Sequence, residues 1–276
     1  MKEECAVKNE RKRWMIINDV LAHLALPAVI ACLLGAGPAF GAHPLLTDDT
    51  GTQGTGKTQV ELSGRFDRYG ESGARTEGWE AKAVLTYGLL DLLDLGLEVP
   101  YTWVSAKDGE TVRQDGFADL LVALKWRFFE QGGLSLALKP LVTLPTGDAE
   151  KGQGGGRTSC GVNLISTVAK DLCDFHLNLG VTHNDYKLEA DRTANRNDIW
   201  NVSAAAEYKL AKSWRLVADI GAERNANAGS NNLPAFVLGG VIWSVSETLD
   251  IDAGVKWGLN GPETDLSVLA GVTFRF

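Results

Sequence analysis

The chain has 276 residues, with 27 Lys and Arg against 35 Asp and Glu and a formal net charge of −8. Nothing in that balance points to nucleic acid, which demands a basic face, and no nucleic-acid partner is expected. Past residue 42 no run of 18 apolar residues occurs, so the chain holds no helical membrane span there.

Residues 1–42 differ from the rest. Arg11, Lys12 and Arg13 precede an apolar run from about Val20 to Ala36, followed by Pro38 and Ala39-Phe40-Gly41-Ala42. A basic region, a short apolar core and small residues at a cut make a secretory signal. Ala39 and Gly41 favour a cut before Ala42, and to within one residue 1–42 is the cleaved segment. The basic region is long enough that Met15 also serves as a candidate start. A permanent anchor wants about 20 apolar residues, more than this run supplies. Val29-Ile30-Ala31 before Cys32 resembles a lipobox, but further apolar residues and the cut site come after it, so Cys32 reads as part of the signal core. What remains carries 22 basic and 31 acidic residues, enough chain for one large all-β domain.

The segment 43–56 is polar and rich in Thr and Gly. It reads either as a periplasmic leader or as a plug folded into the rest of the chain, with His43, Asp48 and Asp49 as its candidate functional residues. From Lys57 the pattern changes to alternation at a period of two, the mark of strands with one apolar and one polar face. Lys57–Asp67 sets Val60, Leu62 and Phe66 against Glu61, Ser63 and Arg65. Thr76–Gly88 sets Trp79, Leu85 and Tyr87 against Glu80, Lys82 and Thr86, and Leu93–Val104 sets Leu95, Leu97, Val99 and Trp103 against Asp94 and Glu98. Gly116–Phe128 sets Leu120, Leu124, Trp126 and Phe128 against Asp119, Lys125 and Arg127. Gly133–Leu144, Thr158–Ala169, Asp174–Asn184 and Asp198–Leu210 continue the series, as do Ser213–Glu223, with Arg215, Asp219 and Glu223 on the polar phase, and Leu249–Gly258. Pro234–Val245 breaks the rule, because Phe236, Leu238 and Ile242 make its inner phase apolar and fit to pack against something inside. The last strand, TDLSVLAGVTFRF from Thr264 to Phe276, alternates again and brings the count to twelve.

A strand of 9–11 residues can cross a bilayer only if closed neighbours satisfy its backbone groups. The predicted connections alternate short (near Leu89–Leu92, Phe129–Gly132, Lys170–Cys173, Ala211–Lys212 and Ser246–Thr248) with long (Arg68–Arg75, Ser105–Asp115, Pro145–Arg157, Asp185–Asn197, Arg224–Leu233 and Leu259–Glu263). Even strand number, short periplasmic turns and longer outer loops are the pattern of an outer-membrane barrel. All seven tryptophans after residue 42 fall on the outward phase, mostly near strand ends, where aromatic girdles meet the headgroups. The expected fold is all-β: a transmembrane antiparallel up-and-down barrel of about 12 strands over 57–276. Cys160 and Cys173 then lie at opposite ends of neighbouring strands, too far apart for a disulfide.

Four stretches carry a family resemblance: HPLLTDDTGTQGTGKTQVEL (His43–Leu62), DLGLEVPYTW (Asp94–Trp103), GFADLLVALKWRF (Gly116–Phe128) and LPTGD (Leu144–Asp148). In this order, over nearly all of the chain after residue 42, they resemble the bacterial outer-membrane transporter family named for the MetA pathway of phenol degradation. The resemblance implies an outer-membrane barrel passing small, including aromatic, compounds. It brings no catalytic or ligand-binding residues with it.

Function reads first as passive passage of small solutes, without energy coupling and without a cofactor. The expected lumen-lining groups are Glu61, Arg65, Glu80, Lys82, Glu98, Asp119, Lys125, Arg127, Arg215, Asp219 and Glu223. Such groups either line a pore and select what passes or pair across strands and fill it. A filled lumen would make the protein a structural or surface-binding barrel that works through the loops Pro145–Arg157 and Asp185–Asn197. An embedded hydrolase is less apt, since His176 and His183 have no nucleophile in a recognisable setting. His43 with Asp48 and Asp49 makes only a weak metal set, and no metal is expected. The expected partners are outer-membrane lipid, the small solute, and the barrel assembly machinery reading the last strand up to Phe276.

Overall fold

The computed structural model of the chain describes residues 43–71, 74–108 and 110–276, so the signal reading for 1–42 lies outside the described residues. The strands are β1 (Thr58–Glu71), β2 (Ala74–Leu90), β3 (Leu93–Asp108), β4 (Glu110–Phe117), β5 (Leu120–Gln131), β6 (Leu134–Leu144), β7 (Ser159–Val168), β8 (Cys173–His183), β9 (Asp198–Ala211), β10 (Trp214–Glu223), β11 (Ala235–Ser246), β12 (Leu249–Gly258) and β13 (Leu266–Arg275). A 3-10 turn at Ala149–Lys151 and a helix α1 (Glu189–Ala194) sit in the long connections between them. None of the helices among the described residues is long and apolar enough to cross a membrane.

Every neighbouring pair is antiparallel, and twelve of the strands close into a ring. The seam is β1 on β13, in register from Gln59 opposite Arg275 to Arg68 opposite Leu266. It is completed by Thr58 and Phe276, each donating its N–H to the other's carbonyl, at 3.1 and 2.8 Å. Closure leaves no strand edge in hydrocarbon, which is the condition for a sheet to span a bilayer.

The two phases of each strand fall on the two sides of the wall. Leu62, Trp79, Leu85, Tyr87, Leu124, Trp126, Ile220 and Trp257 are exposed on the outside, while Glu61, Thr86, Asp94, Lys125, Asp219 and Asp252 are buried on the inside. All seven described tryptophans are exposed outward. Five of them pair with aromatic neighbours: Trp214 stacks on Trp243 with centroids 5.6 Å apart at the short-turn end, and Tyr101 meets Trp103 at 4.5 Å towards the other. Trp200 and Tyr208 bracket the outer face of β9. Their separation is about 26 Å along the strand at ~3.3 Å per residue, which a tilt of ~40° reduces to about 20 Å of membrane thickness.

Three features differ from the sequence reading. The connections expected at Arg68–Arg75 and Ser105–Asp115 are largely strand, with pairing that continues to Glu71 opposite Ala74 and to Asp108 opposite Glu110. Above the bilayer neither face needs to be apolar, so alternation vanishes while ladder hydrogen bonding persists. The single strand expected at Gly116–Phe128 is broken at Ala118–Asp119. There Glu98 faces Leu121 but Tyr101 faces Phe117, one extra residue against β3, and this bulge turns Phe117 outward onto Tyr101. β4 thus prolongs the line of β5 beyond the ring and pairs only with β3. Third, the β5–β6 ladder is interrupted. Ala123 faces Leu141 and Trp126 faces Leu138, but Leu124 and Lys125 have no ladder partners opposite Pro140 and Lys139. Pro140 brings no N–H to that ladder.

Candidate functional site

Residues 43–56 run across the inside of the ring. At one wall His43 Nδ1 hydrogen-bonds to Asp252 of β12, and the ring of Pro44 is fully buried against Gly240 and Gly254. A Cβ on Gly240 would lie 2.7 Å from Pro44 Cγ, and one on Gly254 2.9 Å from Pro44 Cβ. These two inward glycines make the room the proline occupies. Leu45, 3% exposed, packs among Ala205, Val217, Leu238, Ile242 and Leu269, with Leu46 and Phe236 against the cluster. The apolar inner phase of β11 is therefore covered by the leader, and burying Leu45 contributes about 2 kcal/mol.

The polar anchors come next. The backbone N–H groups of Leu46 and Thr47 both donate to Asp219 Oδ2 at 2.8 Å, and Thr47 Oγ1 donates to Asp219 Oδ1 at 2.6 Å. Asp48, fully buried, accepts from Lys125 Nζ at 3.1 Å and Lys139 Nζ at 2.7 Å, one on each carboxylate oxygen. The Asn178 amide completes its setting, donating to the Asp48 carbonyl at 2.9 Å and accepting its N–H at 2.6 Å. Burial alone would raise the Asp48 pKa, but Lys125 and Lys139 outweigh it and hold the carboxyl below the usual aspartate range. Lys125 also donates to the carbonyl of Asp49 at 3.2 Å. Lys125, Lys139, Asn178 and Asp219 each stand sixth in their strands, which are 12, 11, 11 and 10 residues long. The leader is thus pinned at about half the height of the barrel.

Beyond Asp48 the segment descends to the short-turn end. The N–H of Thr50 donates to Thr167 Oγ1 at 3.1 Å, and the Thr50 hydroxyl bonds to that of Ser135. The N–H of Gln53 donates to Asp94 Oδ2 at 3.0 Å, and Thr55 donates to Asp91 Oδ1 through both its N–H and its hydroxyl. Gly88 has its backbone against Gly54, where a Cβ would sit 1.9 Å from the Gly54 carbonyl oxygen. The segment touches β5–β8 on one side and β9–β13 on the other before it enters β1.

Most of the other inner charges meet partners on the wall or on the loops at its mouth. Arg65 bonds to Asp67 at 2.8 Å and faces Glu80 at 3.5 Å, and Lys82 faces Glu98 at 3.7 Å. Arg215 spans Glu207 and Asp250 at 3.1 and 2.8 Å, and Arg275 reaches the same Asp250. Glu61 accepts from Gln59 at 2.7 Å, and Arg127 lies 3.4 Å from Glu130. Lys256 bonds to Glu263 at 2.8 Å below the Phe236 ring, while the backbone N–H of Glu223 donates to Pro234. Asp119 accepts from the N–H groups of Gly147 and Gly155 at 2.8 and 2.9 Å, and so ties the loop 145–158 to the mouth. Gln153 of that loop is buried against Thr102 on the wall.

Beyond that loop the outer connections interlock. Gly156 bridges Tyr186 and Asn195 bridges Asn227. Arg196 donates to the carbonyls of Asn225, Asn227, Ala228 and Ser230, and Asn260 donates to the carbonyl of Leu233. The group His43, Asp48 and Asp49 does not assemble as a metal set, since His43 goes to β12 and Asp48 to β5 and β6. His176 bonds to Thr167 at 2.9 Å near one rim, and His183 to Asp198 at 2.7 Å near the other.

A family profile described as "Putative MetA-pathway of phenol degradation" matches residues 44–276. The chain belongs to this family. Its fold is shared with solved outer-membrane barrels at low identity. An outer membrane channel from Pseudomonas putida F1 is 14% identical with a TM-score of 0.66, over 83% of this chain and 98% of that one. The KdgM porin is 9% identical with a TM-score of 0.54, over 79% and 99%. The beta domain of the Bordetella autotransporter BrkA is 10% identical with a TM-score of 0.51, also over 79% and 99%. No curated protein matches the chain in sequence. Channels and the beta domain of an autotransporter share this barrel fold, so the likeness gives the architecture and leaves the cargo to the lumen.

Several residues of that lumen carry no local signal in the sequence. Asn178, Thr47 and Thr50 are ordinary polar residues until the leader meets the wall, and Leu45 reads as one more leucine of the polar segment 43–56. Gly240 and Gly254 are the exception, because glycines on the inner phase of a strand mark close approach of another segment.

Proposed function

We propose that this family member is a passive channel of the outer membrane for small solutes, including aromatic ones, with residues 43–56 as the plug that closes it. The observation that carries the proposal is the leader's path: it crosses the lumen at half height, held by Asp219 on one side and by Lys125 and Lys139 on the other. The side-chain and backbone bonds that hold the segment lie outside the wall's own strand pairing, so the plug can leave without unfolding the barrel. The wall keeps its own ladder throughout. The polar inner groups from Glu61 to Glu223 would then line the opened path. The phenol-degradation label of the family supports aromatic compounds among the cargo. Export through the signal at 1–42, recognition of the last strand by the barrel assembly machinery and a lipid annulus on the outward apolar face belong to the same proposal.

The test is solute entry into liposomes holding the refolded protein, with and without residues 43–56. Small polar phenolic and aliphatic solutes are compared against protein-free liposomes. Deletion is expected to speed entry, and equal entry with and without the segment refutes the plug.

One observation favours a second reading. The inner charges pair with one another and the outer loops interlock through Arg196, which suits a filled barrel presenting a fixed surface. If no solute enters through either version, that reading stands in place of the channel.

A further inference from the structure

We propose that Lys125 and Lys139, with the Asn178 amide beside them, form a binding site for the carboxylate of a small organic anion. Asp48 fills that site as an internal stand-in, and a permeating anion displaces it. The inference rests on the plug reading and adds to it the chemistry of what opens the plug.

The geometry begins in the wall. Ala123 faces Leu141 and Trp126 faces Leu138, so Lys125 and Lys139 stand opposite each other where the ladder is interrupted at Pro140. Like charges directly opposite on adjacent strands destabilise a sheet. The wall could have answered with an acidic neighbour, as it does for Arg215, which bonds to Glu207 and Asp250 on flanking strands. On β3, Asp94 accepts from the N–H of Gln53, and Glu98 lies 3.7 Å from Lys82. The carboxylate between the two amines comes instead from the leader, with one oxygen on each Nζ. Two ammonium groups on separate oxygens of one carboxylate make a two-point capture of an anion, and charge-assisted bonds of this kind are the strong ones.

Once the leader moves away, the same two amines face the lumen at half height with two positive charges and the Asn178 donor. A solute carboxylate can replace the Asp48 carboxylate bond for bond, and a neutral solute of equal size cannot. Exchange of one carboxylate for another costs little in electrostatics. It converts plug release from the exposure of two buried cations into a ligand swap.

The experiment measures entry of glycerate and of erythritol, small solutes with and without a carboxylate, into liposomes holding the full-length protein. Three versions are compared: unaltered, Lys125→Met with Lys139→Met, and Asp48→Ala. Folding of each is checked by the change in gel mobility on heating, and the milder Lys139→Gln replaces the double variant if that one fails to fold. Removing both lysines should let erythritol enter faster, because the plug loses its anchor, while the glycerate-to-erythritol ratio falls about tenfold. Asp48→Ala should raise erythritol entry and keep the ratio. If the double variant raises erythritol entry with the ratio unchanged, the anion site is wrong and the plug survives. If no variant, nor deletion of 43–56, alters erythritol entry, the plug itself is wrong and the inference falls with it.

Discussion

Replacing Asp48 by Asn removes one charge and nearly no volume at the point where the leader is most tightly held. In the native arrangement its two oxygens take Lys125 at 3.1 Å and Lys139 at 2.7 Å, all three side chains being buried. The amide keeps one acceptor oxygen and turns a donor towards an ammonium group. Breaking a buried ion pair by removing one partner costs about 3–5 kcal/mol, because the other charge stays buried and uncompensated. Water entering the lumen beside the lysines lowers that cost, so about 3 kcal/mol is the working figure. At 1.4 kcal/mol per tenfold, the docked-to-undocked ratio of the leader should fall by roughly a hundredfold. A cysteine at Thr50, buried in the docked leader, in a chain with Cys160 and Cys173 changed to Ser, reports undocking by its rate of reaction with a membrane-impermeant maleimide. A hundredfold faster reaction in Asp48→Asn is the expected outcome. A rate within twofold of the parent would mean that the leader is held by the Leu45 and Asp219 contacts alone, and the ion pair as anchor would be refuted.

Two further predictions concern the same segment. The two lysines hold the Asp48 carboxyl below its ordinary value, so its stabilisation of docking is fully present above the unfolded value of roughly 3.9 and is lost as pH falls through the docked value. Maleimide is poorly suited to acid, so hydrogen-exchange protection of residues 45–50, taken relative to the intrinsic amide rate at each pH, is the readout; it should hold from neutral pH to about 4 and fall below that, and protection free of any acid step counts against the assignment. Leu45→Ala empties part of the cluster formed with Leu238 and Ile242. Its cost should sit near the lower end of the ~2–5 kcal/mol for such truncations, since the cavity opens to the lumen. The barrel's own heat-induced gel shift should not move, and a shift to lower temperature would show that the cluster supports the wall and not only the leader.

The outward phase of this chain was legible residue by residue. Trp79, Trp126, Trp214 and Trp257 alternate with charged or small residues because lipid touches every second side chain of a spanning strand, and that constraint is local. For the same reason the exceptional inner phase of β11, with Leu238 and Ile242, stood out before any partner for it was visible. Where lipid stops, the signal stops too: the extended pairing within 68–75 and 105–115 has no apolar alternation to announce it. The bulge at Ala118–Asp119 was equally silent, since one extra residue is defined only against the register of β3.

The sequence by itself determined that the chain is a closed sheet in the outer membrane, because alternation, rim aromatics and turn lengths each answer to the bilayer. Only the tertiary structure decided what occupies the inside. Asp48 lies 77 residues from Lys125, 91 from Lys139 and 130 from Asn178, and Thr47 lies 172 from Asp219. No periodicity links such positions. Their meeting depends on the ring closing at Thr58 and Phe276, which turns one polar phase drawn from twelve strands into a single interior, with the leader crossing it.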